Sequence, residues 1–429
     1  MVTSRKEKDN SSQITEICQR AKAASRQLAG LPTMDRNRAL LEMAAALERR
    51  KGEIIRENRD DVKEGKAARL SGALMDRLML DEDRIREMAA GLRKLVHLPD
   101  PVGEVVEGRR LPNGLELKKV RVPFGVVAVI YEARPNVTTD AAGLCLKTGN
   151  AVILRGGSAS LHSIRMLTEV VGGALLDAGL PSDAVQLVAS RDRAPLKKLL
   201  AMKEYVDLVI PRGGESLKQF LVKNSTIPVI YAAGGNCHVY VDAGADLEKA
   251  AAITVNAKVQ RPGVCNAAET LLIHKDVAAD FVPLIVQELT IRGVKLFVTP
   301  EVKELAGGKA KELGDAVKEH FATEFLDLKM AVKIVDNLDE AIDHIAAFGT
   351  GHSEAIVTED LGAARDFSDR VDAACIYVNA STRFTDGGQF GMGAEIGIST
   401  QKLHARGPVG LRELTSTKYV VTGDGQVRT

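Results

Sequence analysis

The sequence predicts an α/β protein built from two doubly wound α/β domains and a separate β-hairpin. Three observations carry that expectation. From Gly125 onward, short continuous apolar runs such as residues 126–131 alternate with helical segments, the pattern of parallel strands covered on both faces. The alternation starts again after Gly234-Gly235. Ahead of both, Pro112-Asn113-Gly114 stands between two extended valine and leucine runs, a short-range hairpin signal.

Taken in order, residues 12–97 read as helices over 14–28, 36–49 and 51–65, with a last one after Asp81. The second carries Leu40, Leu41, Met43, Ala44 and Leu47 on one side, an amphipathic face. Pro99, Pro101 and Gly103 end this region. Residues 104–122 form the hairpin, and a two-stranded hairpin is marginal alone. The extended Thr/Tyr/Val run at 414–421 is its candidate partner.

The first alternation predicts strands at 126–131, 151–154, 185–188, 206–210 and 229–232, with helices at 141–147, 161–178, 194–202 and 216–222. The second predicts strands at 238–241, 270–274, 294–298, 332–335, 355–357 and 375–378. Helices at 247–259, 278–292, 338–347 and 361–371, and a loop with a helix across 300–321, connect them. Residues 384–406, punctuated by Gly387, Gly388, Gly391, Gly393 and Gly397, read as a loop too regularly punctuated for a linker, of a length that is usually functional or disordered.

Composition narrows the function classes. A chain of 429 residues with 45% hydrophobic and 27% charged residues is ordinary for a globular protein. A net charge of +1 gives no field toward nucleic acid or a membrane surface, and 4% aromatics without tryptophan give little to stack bases on. Five cysteines without paired short spacing argue against a disulfide framework and a zinc cluster, so no metal is expected. With neither a signal-peptide core nor an apolar run of about 18 residues, the expectation is a soluble, cytoplasmic protein.

Cys265 is the candidate for chemistry. The helical run 247–259 stops at Pro262-Gly263, and the cysteine follows on the turn before an extended Thr-Leu-Leu-Ile segment. Lys258 and Arg261 are near enough in sequence to lower its pKa if they face it, and the thiolate is the nucleophile. Spacing alone leaves open the alternative of an inert, packed cysteine. Two strand-to-helix turns are alike: Leu154-Arg155-Gly156-Gly157-Ser158 and Pro211-Arg212-Gly213-Gly214-Glu215. Glycines admit a ligand to the backbone, and free amides at a helix start favour anions. Neither is a G-x-G-x-x-G or a Walker loop, so turns that merely need glycine remain the competing reading.

Three stretches resemble the aldehyde dehydrogenase superfamily: Phe124-Gly125-Val126-Val127 through Tyr131-Glu132-Ala133-Arg134-Pro135-Asn136, Gly234-Gly235-Asn236-Cys237-His238-Val239-Tyr240-Val241-Asp242, and Arg261-Pro262-Gly263-Val264-Cys265-Asn266. The resemblance runs from the first helices to about residue 421. It implies an aldehyde dehydrogenase-like build, with an NADP-binding domain (1–103 and 123–233), a catalytic domain (234–405) and a β-hairpin oligomerisation arm (104–122 and 406–429) of a homo-oligomer. It also implies NADPH-dependent reduction of L-glutamate 5-phosphate to L-glutamate 5-semialdehyde, with release of phosphate through a Cys265 thioester, in L-proline biosynthesis. Glutamate 5-kinase is then a family-level partner.

The departures from the superfamily pattern are informative. Oxidising members carry Glu-Leu-Gly-Gly, whose glutamate activates water; the equivalent run here is Ala232-Ala233-Gly234-Gly235, and Ala232 cannot act as a base. Where members have Lys-Pro-Ser-Glu, this chain has Arg155-Gly156-Gly157-Ser158. A glutamate there repels a 2′-phosphate, whereas Ser158 beside Arg155 favours NADP(H). Arg212, Gly213 and Gly214 form the second cofactor turn, and Glu324 aligns with the glutamate that holds the nicotinamide ribose. Asn136 is the candidate oxyanion donor, although Arg-Pro-Asn does not superimpose on the superfamily's Trp-Asn pair. Arg134, His238 and Arg261 are candidate cations for an anionic substrate, with His238 equally readable as a core histidine. Cys237, Cys18, Cys145 and Cys375 are assigned to packing.

Overall fold

Among the described residues, five helices precede the first strand: α1 Val2–Leu28, α2 Thr33–Arg49, α3 Lys51–Ala67, α4 Gly72–Leu78 and α5 Glu82–His97. They belong to a computed structural model that describes residues 2–231 and 234–428. The α2 periodicity buries Ala39, Leu40, Met43, Ala44 and Leu47 but leaves Leu41 exposed, because successive helical positions point about 100° apart. Helix α4 was not expected from the sequence. It starts where Ser71 Oγ accepts from the Leu74 amide, a side-chain cap that a seven-residue segment shows only weakly in sequence. No helix among the described residues is long and apolar enough to cross a membrane.

The chain divides into two units. The first contains Met1–Tyr231, Gly391–Gly397 and Val409–Thr429; the second contains Ala232–Phe390 and Ile398–Pro408. The hairpin and the C-terminal run fall with the first unit, and the glycine-rich loop is divided between the two.

In the first unit, β1 Val105–Arg110 and β2 Glu116–Pro123 pair antiparallel, and the C-terminal strand Thr415–Thr422 pairs with the other edge of β2, Thr415 opposite Pro123 and Thr422 opposite Glu116. The outer two strands of this small sheet are exposed along almost their whole length. The main sheet is parallel, with β3 Val126–Tyr131 and β4 Ala151–Arg155 central, β5 Val185–Leu187 beside β4, and β6 Leu208–Arg212 beside β3. Helices α6 Val137–Lys147, α7 Leu161–Asp177, α8 Ala194–Leu199 and α9 Glu215–Asn224 alternate with these strands. The chain steps outward from β3 to β5 and returns beside β3, so the order reverses between β3 and β6, where doubly wound sheets bind ligands at the strands' carboxyl ends. The strand expected at 229–232 is reduced to a single bridge between Val209 and Val229. Val209 donates to the Pro228 carbonyl and receives from the Ile230 amide, and the pairing ends there. Ala232 lies outside the described residues.

The second unit contains a seven-stranded parallel sheet in the order β10, β9, β11, β8, β7, β12, β13. The strands are β7 Cys237–Val241, β8 Ala268–His274, β9 Lys295–Val298, β10 Gly314–Asp315, β11 Lys329–Val335, β12 Ser353–Val357 and β13 Cys375–Val378. Helices α10 Leu247–Val259 and α11 Lys275–Ile291 flank β8 in sequence. Alternate residues feed two cores: Val239, Val241, Leu271 and Ile273 pack with Phe281 and Val282 of α11, while Tyr240, Leu272 and Ile356 pack with Ile342, Ile345 and Phe367. Burial on both faces explains why these strands read as continuous apolar runs.

Candidate active site

Helix α10 ends at Val259, and Pro262 and Gly263 turn the chain so that Cys265 lies three residues before β8. Cys265 is partly exposed and outside any disulfide, whereas Cys18, Cys145, Cys237 and Cys375 are buried. Burial pushes the Cys18 and Cys145 thiols up to about 12 and raises Cys237 well above the ordinary value, so these thiols are inert at neutral pH. The Cys237 sulfur instead donates to the Cys265 carbonyl at 3.2 Å.

Two glycines hold this arrangement. A Cβ on Gly235 would sit 1.5 Å from the Cys265 carbonyl oxygen, and one on Gly234 would sit 2.6 Å from Glu324 Oε2. The Gly235 amide donates to Glu324 Oε1 at 2.6 Å. The structure therefore gathers Glu324, the Gly-Gly run and Cys265 into one place.

The segment after β13 closes on the same turn. Asn266 Nδ2 donates to the Thr385 carbonyl at 2.9 Å and the Arg383 carbonyl at 3.3 Å, and Thr382 Oγ1 donates to the Asn266 carbonyl at 2.7 Å. Arg383 donates from Nε to Gln260 Oε1 at 2.9 Å and from Nη1 to Asn266 Oδ1. Burial and then Arg261 lower the Arg383 pKa, while Asp386 and Cys265 favour its charged form. Arg261 itself is exposed. Arg383 was missed in the sequence because it lies on a loop far from Cys265 along the chain.

Two sequence expectations are corrected. Lys258 does not serve the thiol: its Nζ lies 2.5 Å from Glu269 Oε2, both side chains wholly buried. Burial lowers the Lys258 pKa and raises that of Glu269, and the opposite charge of the partner works against each shift. Glu269 Oε1 accepts from the Leu326 amide at 3.1 Å, at a residue with φ +52°, two residues beyond Glu324. An acid inside the apolar run of β8 was the available signal for this pair. His238 is likewise withdrawn from the substrate set. It is wholly buried on β7, and both its amide and its Nδ1 meet Glu354 Oε2, at 2.7 and 2.9 Å. Its ring lies edge-on to His344.

In the first unit, the candidate cofactor residues sit at the carboxyl ends of β4 and β6. A Cβ on Gly156 would meet Ile164 at 2.1 Å, and one on Gly157 would meet the Glu132 backbone at 3.2 Å, so glycine is needed for packing against the end of β3. Ser158 is exposed and opens a short 3-10 turn. Arg155 donates from Nη2 to the Asp192 carbonyl at 3.5 Å, while its buried Nε has no partner among the described residues. Burial and the neighbouring Arg193 lower its pKa. The second turn differs. The Gly214 amide, at the start of α9, donates to Glu132 Oε2 at 3.3 Å, so a carboxylate already stands where an anion was expected for Arg212, Gly213 and Gly214. Asn136, exposed ahead of α6, donates from Nδ2 to Asp140 Oδ2 at 3.0 Å. Burial raises the Asp140 pKa to about 6, against the Asn136 hydrogen bond and the charge of Arg212. Arg134 is partly buried on the loop between β3 and Asn136.

A family model described as the aldehyde dehydrogenase family matches residues 2–296. Gamma-glutamyl phosphate reductase of Heliobacterium modesticaldum is 58% identical over 409 residues, covering 95% of this chain and 97% of the relative. The enzyme of the same name from Moorella thermoacetica is 55% identical, covering 96% and 97%. Among solved structures, gamma-glutamyl phosphate reductase of Thermotoga maritima superimposes with a TM-score of 0.94 at 45% identity, covering 97% of this chain and 100% of that one. An acetylating aldehyde dehydrogenase from Geobacillus thermoglucosidasius, 18% identical with a TM-score of 0.70, shares the fold.

Proposed function

The chain belongs to the aldehyde dehydrogenase family, and from that membership we propose that it reduces L-glutamate 5-phosphate to L-glutamate 5-semialdehyde with NADPH, releasing phosphate, in L-proline biosynthesis. The names and near full-length identity of its relatives support this substrate. The carrying observation is Cys265, partly exposed on its Pro-Gly turn, with Gly235 against its carbonyl and Arg261 and Arg383 nearby.

Cys265 attacks the acyl carbon as a thiolate, forming a C–S bond as the bond to phosphate breaks. The nicotinamide, when bound, supplies the hydride that converts the thioester to aldehyde. Arg155, Gly156, Gly157 and Ser158 receive the adenosine 2′-phosphate end of NADP(H), with Arg193 as a second cation, and Glu324 receives the nicotinamide ribose. The Cys265 amide and Asn136 donate to the oxyanion, Asn136 oriented by Asp140. Arg134 and Arg261 attract the anionic substrate. With alanine at 232, no side chain there activates water, so the thioester persists for reduction.

Residues 1–103 and 123–233 act as the NADP-binding domain, 234–405 as the catalytic domain, and 104–122 with 406–429 as the arm of a homo-oligomer. The enzyme works in the cytoplasm, with glutamate 5-kinase as the source of its substrate. The test is the reverse reaction: glutamate semialdehyde, NADP and inorganic phosphate, followed by NADPH absorbance, beside Cys265→Ala. Phosphate-dependent NADPH formation that the variant loses is expected. Turnover without phosphate would mean that water resolves the thioester and would overturn the reading.

A further inference from the structure

The chemistry above leaves Arg383 without a role, yet its guanidinium is built into the nucleophile's own turn. It sits in the 3-10 turn Thr382–Phe384, which Ser381 opens by accepting the Arg383 amide at 3.3 Å. Its side chain bonds Gln260 and Asn266, residues on either side of Cys265, and its carbonyl accepts from Asn266 in return. Both side-chain partners are neutral amide oxygens, so these bonds aim the charge without neutralising it. The groups whose charge acts on it are Arg261, Asp386 and, as the thiolate, Cys265. Asp386 is exposed, and its Oδ1 accepts the amides of Gly388 and Gln389.

The charge of Arg261 acts on Arg383 more strongly than that of Asp386, so the Asp386 carboxylate offsets the repulsion only in part and a further anion is favoured there. A guanidinium also matches the geometry of a phosphate, which it grips through two parallel hydrogen bonds. Resting on the acyl-phosphate reading, we propose that Arg383 receives the phosphoryl group of the substrate and carries the charge of the phosphate as it leaves. The sulfur of Cys265 forms its bond to the acyl carbon, the carbon–oxygen bond breaks, and the electron pair departs on the phosphate oxygen that Arg383 holds. The phosphoryl group, rather than the α-carboxylate, is the anion within reach. It is one oxygen from the attacked carbon, whereas the carboxylate lies beyond three saturated carbons.

The test needs no turnover. Second-order alkylation rates of Cys265 are measured with anionic iodoacetate and neutral iodoacetamide, on the wild type, Arg383→Gln and Arg383→Lys, each alone, with inorganic phosphate and with L-glutamate. Arg383→Gln lowers the iodoacetate-to-iodoacetamide rate ratio roughly five- to ten-fold, the scale of one partly screened charge at a few ångströms. It also abolishes protection by phosphate, and Arg383→Lys keeps most of both effects. If Arg383 only braces the turn, both reagents slow equally in Arg383→Gln and phosphate still protects, which overturns the proposal. Protection by L-glutamate but not by phosphate would assign Arg383 to the α-carboxylate and overturn it as well. If the reverse reaction fails while Arg383-dependent phosphate protection persists, the reaction assignment falls and the phosphate site stands. The opposite pair of results separates them the other way.

Discussion

Cys265 and His238 show how differently two reactive side chains from neighbouring segments are used. Cys265 stays partly exposed at the foot of β8, while His238 points into a core where Glu354 accepts both its amide and its ring nitrogen. His238→Leu leaves the buried Glu354 carboxylate with the residue-238 backbone amide but without its ring partner, and we expect it to destabilise the fold by about 3–5 kcal/mol in urea unfolding. His238→Leu combined with Glu354→Leu should recover most of that loss. Burial already raises the Glu354 pKa, so in the single variant the folded state takes up a proton more readily than the unfolded state. The deficit therefore shrinks as pH falls. A substrate role for His238 predicts the reverse pattern, a raised KM with unchanged stability.

At the scale of elements, the two Arg-Gly-Gly turns diverge although their sequences are alike. A Cβ would crowd Ile164 at Gly156, the Glu132 backbone at Gly157 and the Glu132 side chain at Gly213, whereas Gly214 faces open space, and only the first turn leaves its serine exposed beside an arginine whose buried Nε has no partner among the described residues. Glu132 reaches the second turn and engages its leading amide. Ser158→Glu puts a carboxylate where the 2′-phosphate is proposed to bind, and like charges at an interface cost several kcal/mol. The ratio of kcat/KM for NADPH over NADH should fall at least roughly ten-fold, read from initial rates with each cofactor. An unchanged ratio would remove the first turn from cofactor selection.

At the scale of the whole molecule, the chain ends serve the first unit. The C-terminal strand completes the sheet begun by the hairpin, Leu414 accepts from the buried Asn150 side chain at 2.8 Å, and Arg412 pairs with Glu104 at 2.8 Å. A chain ending at Gly410 loses all three and leaves β1 and β2 as an isolated hairpin, which is marginal in water. Calorimetry should show a lowered Tm, and sedimentation should show loss of the assembled mass if this sheet is the oligomerisation arm. An intact assembly would reassign the arm.

Local spacing determined much of this protein. The continuous apolar runs of β3, β7 and β13, helix α10 with its Pro-Gly stop, and the Pro-Asn-Gly hairpin are legible because each depends on neighbours within a few residues. Helix α4 was too short to show a period, and the strand at 229–232 dissolved because pairing, not hydrophobicity, defines a strand. Tertiary structure decided which charges meet. Lys258, read as a cation for the thiol if it faced it, is paired with Glu269, while Arg383 arrives from the loop after β13 to bond Gln260 and Asn266 on either side of Cys265. Side-chain partners depend on strand order and on the loops that strand order brings together, and no periodicity along the chain encodes that adjacency.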